Sequence, residues 1–154
     1  MNWIDSVAAD ATQIIISVPN GRSLQYRMLG RHYAYYDFPN HIHQFSPKSL
    51  NLLFKRIGFE PERYYHSLPY SAFGALQGLL NLFNKHHNYF YYRRKRGWTF
   101  SLSRGALWVL DAYNVLLILA LALPAAAVTA MDFMSRRHAS VLTVNFHKPK
   151  TSDA

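Results

Sequence analysis

A chain of 154 residues, half of them apolar, is long enough to bury one ordinary core and is not a disordered polyelectrolyte. It contains no cysteine, which excludes a disulfide framework and any thiolate metal site. Seventeen Lys and Arg against eight Asp and Glu give a formal charge of +9, which favours an anionic partner such as phosphate-rich lipid or nucleic acid.

The opening residues Met1 to Ala11 carry Asp5 and Asp10 without a basic start or an apolar run, so no secretory signal is read there and a cytoplasmic location is expected. Thr12 to Val18 is a β-branched run, the pattern of a parallel strand buried on both faces, stopped by Pro19-Asn20-Gly21. Ligands of doubly wound sheets bind beyond the carboxyl ends of strands, which points to the loop Asn20 to Phe45. Ser46 is a good N-cap with Pro47 at the first helical position. Leu50, Leu53, Phe54 and Ile57 then form one apolar stripe, and Gly58 suits the position just past the helix end.

Glu60 to Leu68 reads as a second strand. Phe73, Leu76, Leu79, Leu80 and Phe83 fall at helical spacing and predict a core-facing stripe. The aromatic and basic run Tyr89-Phe90-Tyr91-Tyr92-Arg93-Arg94-Lys95-Arg96-Gly97-Trp98 follows. Val115 to Met131 has no charge over about 26 Å of helix, slightly short of a bilayer core of about 30 Å, and Pro124 predicts a break near its middle. Ser140 to His147 alternates Leu142, Val144 and Phe146 against Val141, Thr143 and Asn145, a final strand ending at Lys148-Pro149.

Asp37-Phe38-Pro39-Asn40-His41, then Phe45-Ser46-Pro47-Lys48-Ser49-Leu50 and Gly58-Phe59, resemble the rear half of a class I S-adenosylmethionine-dependent methyltransferase, in the branch with a D-x-P-x-H and F-S-x-x-S-L acceptor loop. The resemblance covers about Thr12 to Leu68 and Ser140 to Pro149. It implies an α/β fold: a partial Rossmann-like sheet whose fifth, sixth and seventh strands are the three above, the last two antiparallel. A helical, membrane-directed insertion then lies between the last two strands. The implied organisation is residues 1–70 as the C-terminal part of the methyltransferase-like domain, 71–138 as the hydrophobic and basic insertion, 139–150 as the final strand, and 151–154 as a tail.

The resemblance also implies S-adenosylmethionine as cofactor. The family grips it with a glycine-rich loop, and no such loop occurs here, so a fragment that does not bind the cofactor alone is expected, completed by a missing N-terminal half or by self-association. His41 suits a general base and Asp37 could orient its imidazole, with the alternative that both only shape the turn. Asn20 is the candidate cofactor or acceptor contact, or a turn residue. His41-x-His43 and His86-His87 lack a third ligand of matching spacing, so no metal is expected.

If the strands on either side of the insertion pair, the chain must return to the side it left, which forbids a single membrane crossing. Basic residues Arg96, Arg104, Arg136 and Arg137 on both flanks agree. The expectation is therefore a membrane-surface or re-entrant hairpin on an anionic bilayer, with a lipid-linked or saccharide acceptor. A non-catalytic basic membrane protein is the alternative, and a nucleic-acid binder using Tyr89 to Trp98 ranks lower.

Overall fold

A computed structural model describes residues 10–135 and 138–149. In chain order these form β1 (Gln13–Pro19), α1 (Leu24–Leu29) closed by a 3-10 turn (Gly30–His32), α2 (Pro47–Lys55), β2 (Glu60–Tyr65) and α3 (Leu68–Asn81). Then come a single helical turn α4 (Tyr89–Tyr91) running into a π-helical turn (Tyr92–Arg96), α5 (Arg104–Met134) and β3 (Val141–His147). The fold is mixed α/β, with a three-stranded sheet of order β1-β3-β2 and one long apolar helix. Arg136, Arg137 and the residues before 10 and after 149 lie outside the described residues.

The chain's last strand sits in the middle of the sheet and is antiparallel to both neighbours. Ile16 faces Val144 in one ladder and Tyr64 faces Val144 in the other. Residues 13–19 and 141–147 are therefore sheet neighbours, with the whole insertion between them in sequence. One face of the sheet takes α2: Leu50, Phe54 and Phe59 close on Leu142, Val144 and Phe146, with Phe54 stacked on Phe146 at 4.2 Å between centroids. Each such side chain contributes about 1.5–3 kcal/mol by leaving water.

The start of α2 follows from its sequence. Ser46 Oγ accepts from the Ser49 amide at 3.1 Å, and the Ser46 amide donates to Ser49 Oγ at 2.9 Å, a reciprocal cap before Pro47. Gly58 ends the segment at φ +83°, a conformation an L side chain rarely adopts.

Three expectations are corrected. β1 is not a parallel strand buried on both faces: it is antiparallel to β3, its only sheet neighbour among the described residues. Ile14, Ile16 and Val18 pack toward the core, while Gln13, Ile15 and Ser17 are exposed. Helix α5 does not break at Pro124 but runs through it as one 31-residue helix, because a proline removes one backbone donor and the remaining turns still close. The hairpin in the insertion is instead the pair α3 and α5, joined through residues 82–103.

The third correction concerns α3. Its buried face is made of Ser71, Gly74, Ala75, Gln77, Gly78, Leu80 and Asn81, whereas Phe73, Leu76 and Leu79 are half-buried and Phe83 is exposed. The small and polar side of this helix is fully buried, Phe73 packs edge-on against Tyr35 and Tyr91, and the exposed large side chains Leu68, Tyr70, Leu82 and Phe83 lie at or just beyond its ends. Gly74 and Gly78 let the segment after β1 approach closely: a Cβ on Gly74 would collide with the side chains of Gln25 and Tyr35, and one on Gly78 with Leu29.

Candidate acceptor site

The loop after β1 is held at its root by Asn20. This residue is fully buried; its Nδ2 donates to the Ala139 carbonyl at 2.8 Å, its Oδ1 accepts from the Arg22 amide at 2.9 Å, and its own amide donates to Ser140 O at 3.0 Å. Both ends of the side-chain amide are therefore engaged inside the protein, where they tie β1 to the entry of β3. Tyr33 adds a second tie, its hydroxyl donating to the Ser140 carbonyl, and burial pushes that phenol well above its ordinary range.

Further along, the chain turns at Asp37 to His41, where the His41 amide donates to Asp37 O at 2.8 Å and the Phe38–Pro39 peptide is cis. The Asp37 carboxylate accepts from the Tyr92 hydroxyl at 2.5 Å and from Asn40 Nδ2 at 3.1 Å, and Asn40 Nδ2 also reaches the Tyr92 oxygen at 2.7 Å. Among the described residues Asp37 makes no side-chain bond to the His41 imidazole, which is exposed. Burial, then the bond to Asp37, raise the Tyr92 phenol, so it stays protonated and donates at any physiological pH. Asp37 and His41 nevertheless line one cavity of about 390 Å³, together with Tyr35, Tyr70, Tyr91 and Lys95.

Asp37 and Tyr92 are 55 positions apart, so the segment between β2 and β3 folds back over the loop after β1 rather than projecting away from it. A buried amide network fastens this return. Asn81 Nδ2 donates to His32 O at 3.0 Å and to Asn88 Oδ1 at 3.0 Å, Gln77 Nε2 donates to Asn81 Oδ1 at 3.0 Å, and Asn88 Nδ2 donates to Ala34 O at 2.8 Å. None of these residues is prominent in a hydropathy reading. The signal that would have found them is their spacing: Gln77 and Asn81 are one helical turn apart, on the same face as Gly74 and Gly78.

The aromatic run packs mainly on itself. Tyr92 and Trp98 stack at 4.1 Å with 7° between planes, and Tyr89 lies against Phe100. The stack covers one face of each of these two rings, and Trp98 stays exposed on its other side.

No family model matches this chain, and neither a curated protein nor a solved structure matches it. What the site can do must therefore be argued from its own geometry. A second, larger cleft lies on the other side of the loop, with Tyr36 lining it while Tyr35 and Asp37 line the His41 cavity. Among the described residues no group of three His, Asp or Glu side chains is arranged to hold a metal ion.

Proposed function

We propose that these residues form the acceptor-side part of an S-adenosylmethionine-dependent methyltransferase that works lying on a membrane, its acceptor being lipid-linked. The observation that carries the reading is the sheet. The three strands expected from the family resemblance, two of them separated by some seventy residues, meet in one sheet with the last two antiparallel, and the D-x-P-x-H loop leaves the carboxyl end of the first. His41 would take a proton from the acceptor, and Lys95 and the tyrosines around it would shape the slot.

The membrane part of the proposal rests on α5. Its apolar window is mostly exposed, with Leu123 83% exposed, Trp108 74% and Leu119 70%. Polar bonds tie both ends to the same body: Asp111 pairs with Arg93 at 3.2 Å and Asp132 accepts from Ser71 at 2.7 Å and from the Ser140 amide at 3.1 Å. These anchors are 21 residues apart, about 31 Å of helix. A helix pinned along the body at both ends does not cross a bilayer while the body stays on one side; it lies in the interface plane with its outer face in the acyl boundary.

A second, non-catalytic reading is favoured by the Asp37 carboxylate, which is occupied by Tyr92 and Asn40 and so serves the turn. The two readings part in one experiment: equilibrium dialysis with labelled S-adenosylmethionine, on these 154 residues and on the same residues fused behind a glycine-rich cofactor-binding half of the family. The proposal expects no retention by the first, retention by the second, and loss of methyl transfer to membrane lipid in the fused His41→Ala protein. Tight binding by the 154 residues alone, or a fusion that methylates as well without His41, overturns it.

A further inference from the structure

The larger cleft, about 680 Å³, is lined by Arg22, Arg27, Arg31 and His138 with Tyr26 and Tyr36, and no carboxylate lines it. An adjoining groove of about 490 Å³ shares Arg22 and His138 and adds Lys48, Ser46, Ser49 and Leu52. The only ion pair among the described residues, Arg93 with Asp111, lies elsewhere, so none of these cleft cations has a carboxylate partner there. Like charges gather here without internal compensation, a cost that a bound anion would offset.

The local fold builds this cluster. The Asn20 clamp fixes Arg22 directly beyond the end of β1, the Ser23 cap starts α1 so that it carries Tyr26 and Arg27, and Gly30 at φ +53° turns the chain to bring in Arg31. His138 comes from the other end of the molecule: its carbonyl accepts from the Leu24 amide at 3.1 Å and its Nδ1 lies 3.4 Å from Arg22 O. Guanidinium forks match phosphate oxygens two at a time, and an imidazole adds a further donor.

The position of the cleft says how the phosphate arrives. Helix α5 ends at Met134, four residues before His138, and α1 packs against α5. Met28 on α1, Leu52 in the adjoining groove and Met131, Phe133 and Met134 on α5 are exposed apolar side chains on the elements that build or adjoin the cleft. A basic hollow flanked by such side chains suits a charged headgroup above an acyl layer.

We propose that the Arg22, Arg27, Arg31 and His138 cleft binds the terminal phosphate of a phosphorylated lipid. The phosphate chemistry follows from the cleft alone. The lipid source rests on the in-plane placement of α5 proposed above, and the methyltransferase chemistry is not needed for either.

The test is flotation with vesicles of phosphatidylcholine carrying either phosphatidic acid, a phosphomonoester, or phosphatidylserine at matched surface charge, with glycerol 3-phosphate titration followed by arginine side-chain NMR as the soluble arm. The variants are Arg22→Gln/Arg27→Gln/Arg31→Gln and, as an equal-charge control outside the cleft, Arg94→Gln/Arg96→Gln/Arg104→Gln, each checked for an unchanged melting curve. The wild type is expected to prefer phosphatidic acid and to show glycerol 3-phosphate shifts. The cleft variant should lose about a hundredfold on phosphatidic acid and all the NMR shifts, and the control should lose less and keep the preference.

Equal losses in both variants, or no preference for the phosphomonoester, would mean diffuse surface attraction and overturn the site. Glycerol 3-phosphate binding without vesicle binding overturns the lipid source and the membrane placement while the phosphate site stands. Vesicle binding that is unmoved by the cleft variant overturns the site and leaves the membrane placement intact. Displacement from phosphatidic acid by oligonucleotide at equal phosphate concentration would reassign the cleft to nucleic acid and overturn the proposal.

Discussion

Strand β3 and helix α5 are both strongly apolar, yet the fold treats them in opposite ways. β3 runs through the middle of the sheet, where Leu142, Val144 and Phe146 are buried against α2, and it is paired on both edges. α5 has more than four times as many residues and leaves most of its outer face uncovered. The contrast teaches that hydropathy alone does not define a core. β3 alternates, so a single face can be packed and its backbone satisfied by neighbours, whereas α5 is apolar all round and satisfies its own backbone. An element of the second kind can leave one side uncovered; here its other side packs on α3, burying Leu107, Asn114, Ala125 and Val128, and polar bonds from Asp111 and Asp132 fasten it near its two ends.

The sharpest way to break the contrast is to cut the core. Phe146→Ala removes the ring stacked on Phe54 and should cost about 3–5 kcal/mol of unfolding free energy in a denaturant titration, enough to unfold a marginal domain. Truncation of α5 should do the opposite: Leu116→Ser/Leu119→Ser/Leu123→Ser leaves unfolding free energy nearly unchanged but lowers partition into phosphatidylcholine and phosphatidylserine vesicles by at least about a hundredfold. A large fall in stability with unchanged partition would mean that α5 is covered by protein, as a second copy would do.

Between these two regions lies the polar seam that holds the hairpin to the loop after β1. Asn81→Leu leaves the His32 carbonyl and the amides of Gln77 and Asn88 without their partner, and should cost about 1–3 kcal/mol. Hydrogen exchange should then rise first at residues 82–96, not in the sheet; uniform exchange would make the two regions one cooperative unit.

The smallest effect is a pH dependence. Burial lowers the His87 pKa from 6.5, with the nearby Asp37 opposing, so the unfolded chain takes up a proton that the folded chain resists. Stability from this group is complete above about pH 6.5 and is lost as pH falls through the lowered value. His87→Gln should flatten that part of the pH profile, and an unchanged slope would assign it to other groups.

Much of the sheet half is legible in the residues. The Ser46-Pro47 cap, the α2 stripe, Gly58 and the alternation in Ser140 to His147 are local rules, and the structure follows each of them. The site is less so. Asp37 and His41 are four positions apart and do share a cavity, but besides its neighbour Asn40 the group that engages Asp37 is Tyr92, and a partner of Asn20 is Ala139, both more than fifty positions away. The arginine cleft escapes a sequence reading for the same reason: Arg22, Arg27 and Arg31 look like ordinary surface charge until His138 closes the far side.

Composition, periodicity and capping determined β1, α2, β3 and the body of α3, because those preferences act over a few neighbouring residues, but not α1, which lies inside the expected loop, nor the end of β2 at Tyr65, where the expected strand ran on to Leu68. Which face of α3 is turned inward, whether α5 breaks at Pro124, and which distant side chain completes each polar pair were decided by packing. A glycine face admits close approach, a long helix tolerates one missing donor, and a buried amide must find a partner wherever the folded chain supplies one.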